Sequence, residues 1–433
     1  MFNSTNRHGR AFRRIVSSNA GLGILGVLLL CMSSSPWAQD SQSPVTLETL
    51  EQRIAEMRSE FGLEREILEM DMEDLRSQLA EVGVAGQEVQ RANVFNPSIT
   101  VFGNMLTRFD DRRVYLDDDP TEARLDDRPH FREVEIDFRA AIDPFADAVV
   151  ITNLESEAPG EFGAGLEEGY VEIKRLPFLE SAPWGLKLRV GRMRPEFGRL
   201  NQVHLHDLPQ PSYPRSLRTF LGAEGYVQEG LSGRFFLPIP GEEHALEANV
   251  QLMTGGGLPL AEDQSGSNLA SVARIKYFRE LDTASTVEVG SSIWHSDGDH
   301  DLYGFDATYH WKPLSGGERH SLLVGGEVFQ ARLDDPATDS SPGGYYIWSQ
   351  YQLMRDLYLG TRFDRSEALE DDGENTTELG FFLTYYTSEF LRFRLGYEHV
   401  NSDNPILDDR DSLLLELNFI FGSHPTEPYW VSR

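Results

Sequence analysis

The stretch at residues 131–142, FREVEIDFRAAI, decides the fold. Val134, Ile136, Phe138, Ala140 and Ile142 share one face of an extended segment, and Glu133, Glu135, Asp137 and Arg139 share the other. Residues 391–398 repeat the pattern, with Leu391, Phe393, Leu395 and Tyr397 opposite Arg392, Arg394, Gly396 and Glu398. Near the end, Leu413, Leu415, Leu417, Phe419 and Phe421 oppose Glu416 and Asn418. Burying three charges from one strand face in a dry sandwich core would cost several kcal/mol each. A water-filled lumen accepts them, while the apolar face meets lipid.

Working outward, period-two segments recur near 97–107, 131–142, 146–156, 166–175, 185–193, 224–237, 244–254, 268–279, 284–295, 300–312, 318–332, 343–354, 356–366, 375–387, 389–400 and 411–422. This predicts an all-β transmembrane barrel of about 16 antiparallel strands over residues 96–423. Short turns follow the even strands, as at Asp143-Pro144-Phe145, Arg355-Asp356 and Ser388-Glu389. Long acidic loops mostly follow the odd ones, as at 110–128, 255–267, 334–342, 367–374 and 402–410. Bacterial outer-membrane barrels have this asymmetry, with turns in the periplasm and loops outside.

The flanking segments set the expected compartment. Arg7, Arg10, Arg13 and Arg14 precede an apolar run at 21–32, so residues 1–38 read as a signal peptide. Cys31, the single cysteine, lies inside it, which excludes disulfides and cysteine metal sites from the exported chain. Residues 46–83 read as a periplasmic helix or short coiled coil, with Leu47, Leu50, Ile54, Met57 and Phe61 in a narrow seam. Residues 84–95 form a linker and 424–433 a tail. The net charge of −31 argues against nucleic acid and anionic phospholipid as partners. It suits divalent cations that bridge lipopolysaccharide. Other expected partners are outer-membrane lipid, the barrel assembly machinery and two further copies in a homotrimer.

Residues 191–222 form the longest loop and the third on the outer side. Arg192, Arg194, Arg199, Arg215 and Arg218 outnumber Glu196 and Asp207, making it basic within an acidic chain. Folded into the bore, these residues form a pore constriction that favours anions or polarises a zwitterion; alternatively the arginines pair with wall carboxylates such as Glu133, Glu135 and Asp137 and hold the loop down. Strand phase adds Lys187, Arg189, Arg274, Lys276, Arg392 and Arg394 to the lumen wall. His204, His206 and Asp207 invite a metal reading, since imidazole and carboxylate suit zinc. Hydrogen-bonded loop histidines are the plainer account. The acidic clusters at 117–120 and 369–373 lack EF-hand spacing, so calcium there is a weaker expectation.

NPSITVFGN at 96–104, the third loop with its Asn-x-x-His-x-His run, and LNFIFGSHPTEPY at 417–429 resemble a proteobacterial zinc-regulated outer-membrane porin- or receptor-like β-barrel family. The resemblance implies uptake of small solutes, with a link to zinc supply. A receptor plug does not fit in the residues before Asn96.

The sequence thus points to an outer-membrane, porin-like channel for small polar solutes, with no enzymatic role. The alternatives are a structural or adhesive barrel anchoring the coiled coil, and an outer-membrane hydrolase using His295 and Ser296. Adjacent strand residues point opposite ways, which argues against that pair.

Overall fold

The computed structural model describes residues 97–423, apart from 119–120, 159–160, 177–182, 242, 262–268, 297–299, 317–318, 334–340, 370–373 and 404–408. The expected signal peptide, coiled coil, linker and tail lie outside the described residues.

Sixteen antiparallel strands close into a barrel in sequence order, with the first hydrogen-bonded to the last. They are β1 (Ser98–Asp110), β2 (Pro129–Asp143), β3 (Ala146–Ala158), β4 (Glu161–Ile173), β5 (Lys187–Met193), β6 (Gln228–Leu237), β7 (His244–Thr254) and β8 (Leu269–Asp282). The series continues with β9 (Ser285–Ser296), β10 (Asp301–Trp311), β11 (Leu322–Arg332), β12 (Gly343–Met354), β13 (Leu357–Glu367), β14 (Asn375–Ser388), β15 (Leu391–Ser402) and β16 (Arg410–Gly422). Closure leaves no free edge, as a hydrocarbon environment demands.

Each expected strand is present, with ends shifted by a few residues. The largest shift is in β4, which begins at Glu161 rather than near 166. Its EFGAG start reads as a loop because of the glycines. In the sheet, Gly165 faces Asn153, whose Oδ1 lies 2.6 Å from where a Cβ would sit. That close approach uses the missing side chain. As a result the β3–β4 connection is short, unlike most of the loops at that end.

The pleat sorts the side chains as the alternation predicts. On β15, Arg392, Arg394 and Glu398 are buried inside while Phe393, Leu395 and Tyr397 are exposed outside. On β16, Glu416 and Asn418 face in, and Leu413 and Leu415 face out. The outer wall carries a continuous band of exposed apolar residues, among them Val250, Phe305, Ile347, Phe381 and Leu395. It suits a lipid solvent, in which exposed apolar surface carries no penalty.

Several register shifts lie at strand ends, and two β-bulges break the period in mid-strand. Between β1 and β2, Asn104 pairs with Glu133 but Met105 pairs with Phe131, so Arg132 is the extra residue. Between β3 and β4, Ile151 pairs with Glu168 and Thr152 with Leu166, so Glu167 is extra. A bulge re-aims a side chain that alternation would send outward. Arg132 and Glu167 consequently join Glu133 and Glu168 in the bore.

The inner wall is not polar all round. On β7 to β12, Met253, Ala270, Val272, Trp294, Leu302, Leu323, Phe329, Tyr346 and Trp348 form an apolar patch inside the barrel. It would be unfavourable against water. The third loop covers it.

Candidate functional site: the third loop inside the bore

The loop between β5 and β6 (residues 194–227) folds into the barrel and packs its own apolar residues against that patch. Phe197, Leu200, Leu217, Phe220 and Leu221 are almost wholly buried there. Phe197 and Phe220 stack on either flank of Phe329, with centroids at 6.3 and 5.6 Å. Within the loop, α1 (Arg215–Leu221) starts after Pro214 and stops at Gly222, whose φ of 100° only glycine adopts readily. Its 3.6-residue period sets Leu217, Phe220 and Leu221 on the apolar patch and leaves Arg215 and Arg218 to face carboxylates.

A mostly irregular segment inside a barrel must find partners for its backbone groups. The wall supplies them in two sets. Over the first half of the loop, wall acceptors take N–H groups. Glu327 Oε1 accepts from the N–H of Arg199 (2.7 Å) and Leu200 (2.8 Å), Ser292 Oγ from Gly198 (3.0 Å), and Glu168 Oε2 from Arg194 (3.1 Å). Over the second half, wall donors hold carbonyls. Asn418 Nδ2 donates to His206 O (2.9 Å), Arg394 Nη2 to Leu208 O (2.9 Å), Arg132 Nη1 to Pro211 O (2.6 Å) and Arg362 Nη1 to Ser212 O (2.8 Å). Asn201 closes the loop on itself, donating to Pro195 O and Tyr226 O and accepting from the Tyr226 N–H.

The loop arginines are fastened by ion pairs. Arg194 pairs with Glu167, and Arg199 with Glu288. Arg215 and Arg218 reach Asp118 of the first loop at 2.6 and 3.0 Å, and Arg218 also reaches Glu378 at 3.2 Å. Burial raises the Asp118 carboxyl, but Arg215, Arg218 and Arg410 outweigh it and hold it well below its ordinary value. The expectation of pairing is therefore met, but with different carboxylates from those named. Asp137 pairs instead with Arg139 at 2.7 Å, and Glu135 with His204 at 2.9 Å. Glu133 Oε1 is buried without a hydrogen bond within the described residues.

Arg192 departs from the expected constriction. It pairs in register with Gly169 and Glu229 on the outward face, and its Nε donates to Leu166 O. The β5 pleat decides this, since Lys187, Arg189 and Gly191 hold the inward positions. Glu196 is buried in the loop near Arg234, at 3.9 Å. Lys187, Arg189, Arg274, Lys276, Arg392 and Arg394 all occupy inward phases. Lys187 and Arg189 pair with Glu172, Arg274 with Asp306, Lys276 with Glu247, and Arg392 and Arg394 with Glu416.

Sequence reasoning missed Arg132, Glu167 and Arg362. The first two sit in bulges that alternation cannot reveal. Arg362 lies on the inward phase of β13 with Tyr358 and Asp364, so the period could have found it. It is fully buried between Asp364 (2.7 Å), Glu378 and Glu398 (3.3 Å).

His204 and His206 come together, with ring centroids 5.7 Å apart, but Asp207 does not join them on the same side. Asp207 lies 3.6 Å from Nε2 of His206, on the side away from Glu135. Burial disfavours the charged form of His204, yet Glu135 and Glu167 outweigh it and raise the imidazole well above its ordinary value, so a cation at Nδ1 would have to displace a proton there. His295 is exposed and paired with Asp301 at 2.7 Å, whereas Ser296 is buried on the opposite face. The two form no outward Ser–His pair.

On the short-turn side of the loop, a cavity of about 370 Å³ is lined by Arg139, Asp147, Val149, Tyr170, Glu172 and Arg189. It is a charged vestibule, with the Arg189 guanidinium 5.0 Å from the centre of the Tyr170 ring.

No family model matches the chain. An uncharacterized protein of Aquifex aeolicus (strain VF5) is 32% identical over 337 residues, covering 68% of this chain and 69% of that protein. Among solved structures, the chain resembles the outer-membrane channel DcaP of Acinetobacter baumannii, with a TM-score of 0.48, 9% identity and coverage of 75% and 97%. OprB of Pseudomonas putida gives 0.49, 10%, 75% and 94%. An anion-selective porin from Comamonas acidovorans gives 0.47, 10%, 75% and 100%.

Proposed function

We propose, for a chain that belongs to one family with the uncharacterized protein of Aquifex aeolicus, that it is an outer-membrane porin-like channel for small polar solutes. The third loop is its constriction. One observation carries the reading: a closed barrel with an apolar outer wall holds an ordered loop across a bore lined by buried charged residues such as Glu135, Arg362, Arg394 and Glu416. Lining a channel is the common use of charge inside a membrane barrel.

The constriction works by fixed charge in register. The loop guanidiniums are neutralised locally by Glu167, Glu288, Asp118 and Glu378, so they fasten the loop more than they attract anions. The solute meets alternating signs, as in the vestibule where Arg139 and Arg189 stand beside Asp147 and Glu172. Such a surface favours zwitterions and polar neutrals over a single ion sign. The likeness of the third loop to the zinc-regulated family is compatible with uptake linked to metal supply. A periplasmic N-terminal segment and a homotrimer belong to the same reading.

Purified full-length protein reconstituted in a planar bilayer tests the proposal. Discrete ohmic steps are expected, with weak ion selectivity in a salt gradient. Silent insertion, with folded barrels verified by circular dichroism, would reject the channel and favour a structural barrel.

A further inference from the structure

Where the third loop meets β2 and β4, four groups converge from three elements. His204 Nδ1 lies 2.9 Å from Glu135 Oε2 and 3.1 Å from Glu167 Oε1. His206 Nδ1 lies 3.5 Å from the same Glu135 oxygen. The ligand atoms of Glu135, Glu167 and His204 all fall within 4.8 Å of one another. We propose that Glu135, Glu167, His204 and His206 bind one divalent cation of the zinc type, which clamps the third loop to the barrel wall.

The spacing fits. In a tetrahedral site with bonds of about 2.0–2.1 Å, neighbouring ligand atoms lie about 3.3 Å apart. The two edges at His204, 2.9 and 3.1 Å, lie just below that value, so small rotations of the carboxylates open room for the ion, while His206, 3.5 Å from Glu135 and outside the three-residue group, has to swing inward to become the fourth ligand. Two imidazole nitrogens with two carboxylate oxygens suit zinc-like ions better than calcium or magnesium, which take oxygen.

The His206 ring provides a separate indication. It is 2% exposed, and its Nδ1, aimed at Glu135, makes no hydrogen bond within the described residues. A buried polar atom without a partner calls for an explanation, and a bound ion is one of the standard ones. Phe102 stacks on this ring at 3.8 Å and fixes its plane.

The outer partners also suit a metal centre. A ligating histidine usually gives its other ring nitrogen to a carboxylate, which fixes the tautomer. His204 Nε2 is 2.9 Å from Glu168 Oε1, and His206 Nε2 is 3.6 Å from Asp207 Oδ2. Asp207, a ligand candidate on sequence grounds, thus lies behind the ring, just beyond hydrogen-bond distance, and only the Glu168 contact orients an imidazole directly. Arg194 bonds the same Glu167 oxygen that faces His204, and a carboxylate oxygen has a second lone pair for the ion.

The test is isothermal titration of Zn²⁺ into chelator-stripped, full-length protein in detergent, beside Glu135→Gln, His204→Ala and Asp207→Asn. One tight site per chain is expected above the weak binding of an acidic surface. Glu135→Gln and His204→Ala should weaken it by more than about 100-fold, and Asp207→Asn by less. X-ray absorption of the loaded wild type should show two imidazoles in the first shell, which guards against variants that misfold. The absence of a tight site, equal affinity in His204→Ala, a shell without imidazole, or loss in Asp207→Asn alone would overturn the proposal. Affinity is read without a bilayer, so its failure is distinguishable from failure of the channel reading.

Discussion

Arg394 on β15 donates from Nη2 to the carbonyl oxygen of Leu208 in the third loop, 2.9 Å away, while its Nη1 holds Glu416 on β16 at 2.5 Å. One guanidinium therefore satisfies a loop carbonyl and a wall carboxylate together. Both Arg394 and Glu416 side chains are 1% exposed, so neither charge is solvated by bulk water. The loop stays in the bore because its polar backbone has nowhere better to go.

Arg394→Met tests this anchor. The substitution keeps the stem but leaves Leu208 O unpartnered and Glu416 short of one cation. Breaking a buried pair from one side costs about 3–5 kcal/mol, with Arg132 and Arg392 offsetting part of it. Faster hydrogen exchange across residues 205–213 and noisier, larger conductance are expected, with the barrel circular dichroism unchanged.

Gly198→Ala tests the other side of the loop. Gly198 has φ of +63°, and a Cβ there would meet Glu327 Oε2 at 2.1 Å. The left-handed conformation costs alanine about 1 kcal/mol, and the clash pushes away the carboxylate that accepts from Arg199 and Leu200. A shifted loop should appear as altered tryptophan fluorescence from Trp294, which lies in the same apolar cluster.

Arg192 and Arg194 should separate cleanly. Arg192→Ala removes an outward side chain and is expected to leave the reversal potential in a salt gradient unchanged. Arg194→Ala uncovers Glu167 and frees the Glu224 carbonyl. Cation preference should rise. Equal effects from the two variants would contradict the inward and outward assignment.

Asp118 gives a pH dependence of known sign. Its pKa is depressed by Arg215, Arg218 and Arg410 acting against burial. A depressed folded pKa stabilises the folded state above the ordinary value near 4, and that stability is lost only as pH falls through the lowered value. Attachment of the first loop to the third should therefore survive at pH of about 3. Pepsin at that pH should spare residues 111–128 in the wild type and cut them in Asp118→Asn.

Leu395→Arg tests the outer wall next to an inward arginine that the fold requires. A charge on the lipid face of a barrel costs about 2–4 kcal/mol at the bilayer midplane. Folding into lipid vesicles should weaken accordingly. No loss would mean that this face does not meet hydrocarbon.

The strand phases were legible because pleating fixes neighbouring side chains on opposite faces, whatever the rest of the chain does. Glu133, Glu135, Arg274, Arg392 and Arg394 are inward for that reason. Arg192 misled because it sits in a basic run at a strand end, where charge suggested the bore and the pleat directed it outward. The aromatic lining of β9 to β12 was hidden as well. On those strands both faces are apolar at the loop end, which blurs the alternation.

The sequence alone determined what depends on nearest neighbours: extended segments of period two, their number, the two-sided character of the wall and the presence of a long basic third loop. Only the tertiary structure decided which residues meet across the bore. The bulges at Arg132 and Glu167 arise from register between strands, and His204 finds Glu135 69 residues away. The physical reason is that a side chain's face is set by the local pleat. Its partner is set by closure of the barrel, which brings distant strands and the enclosed loop into one small volume.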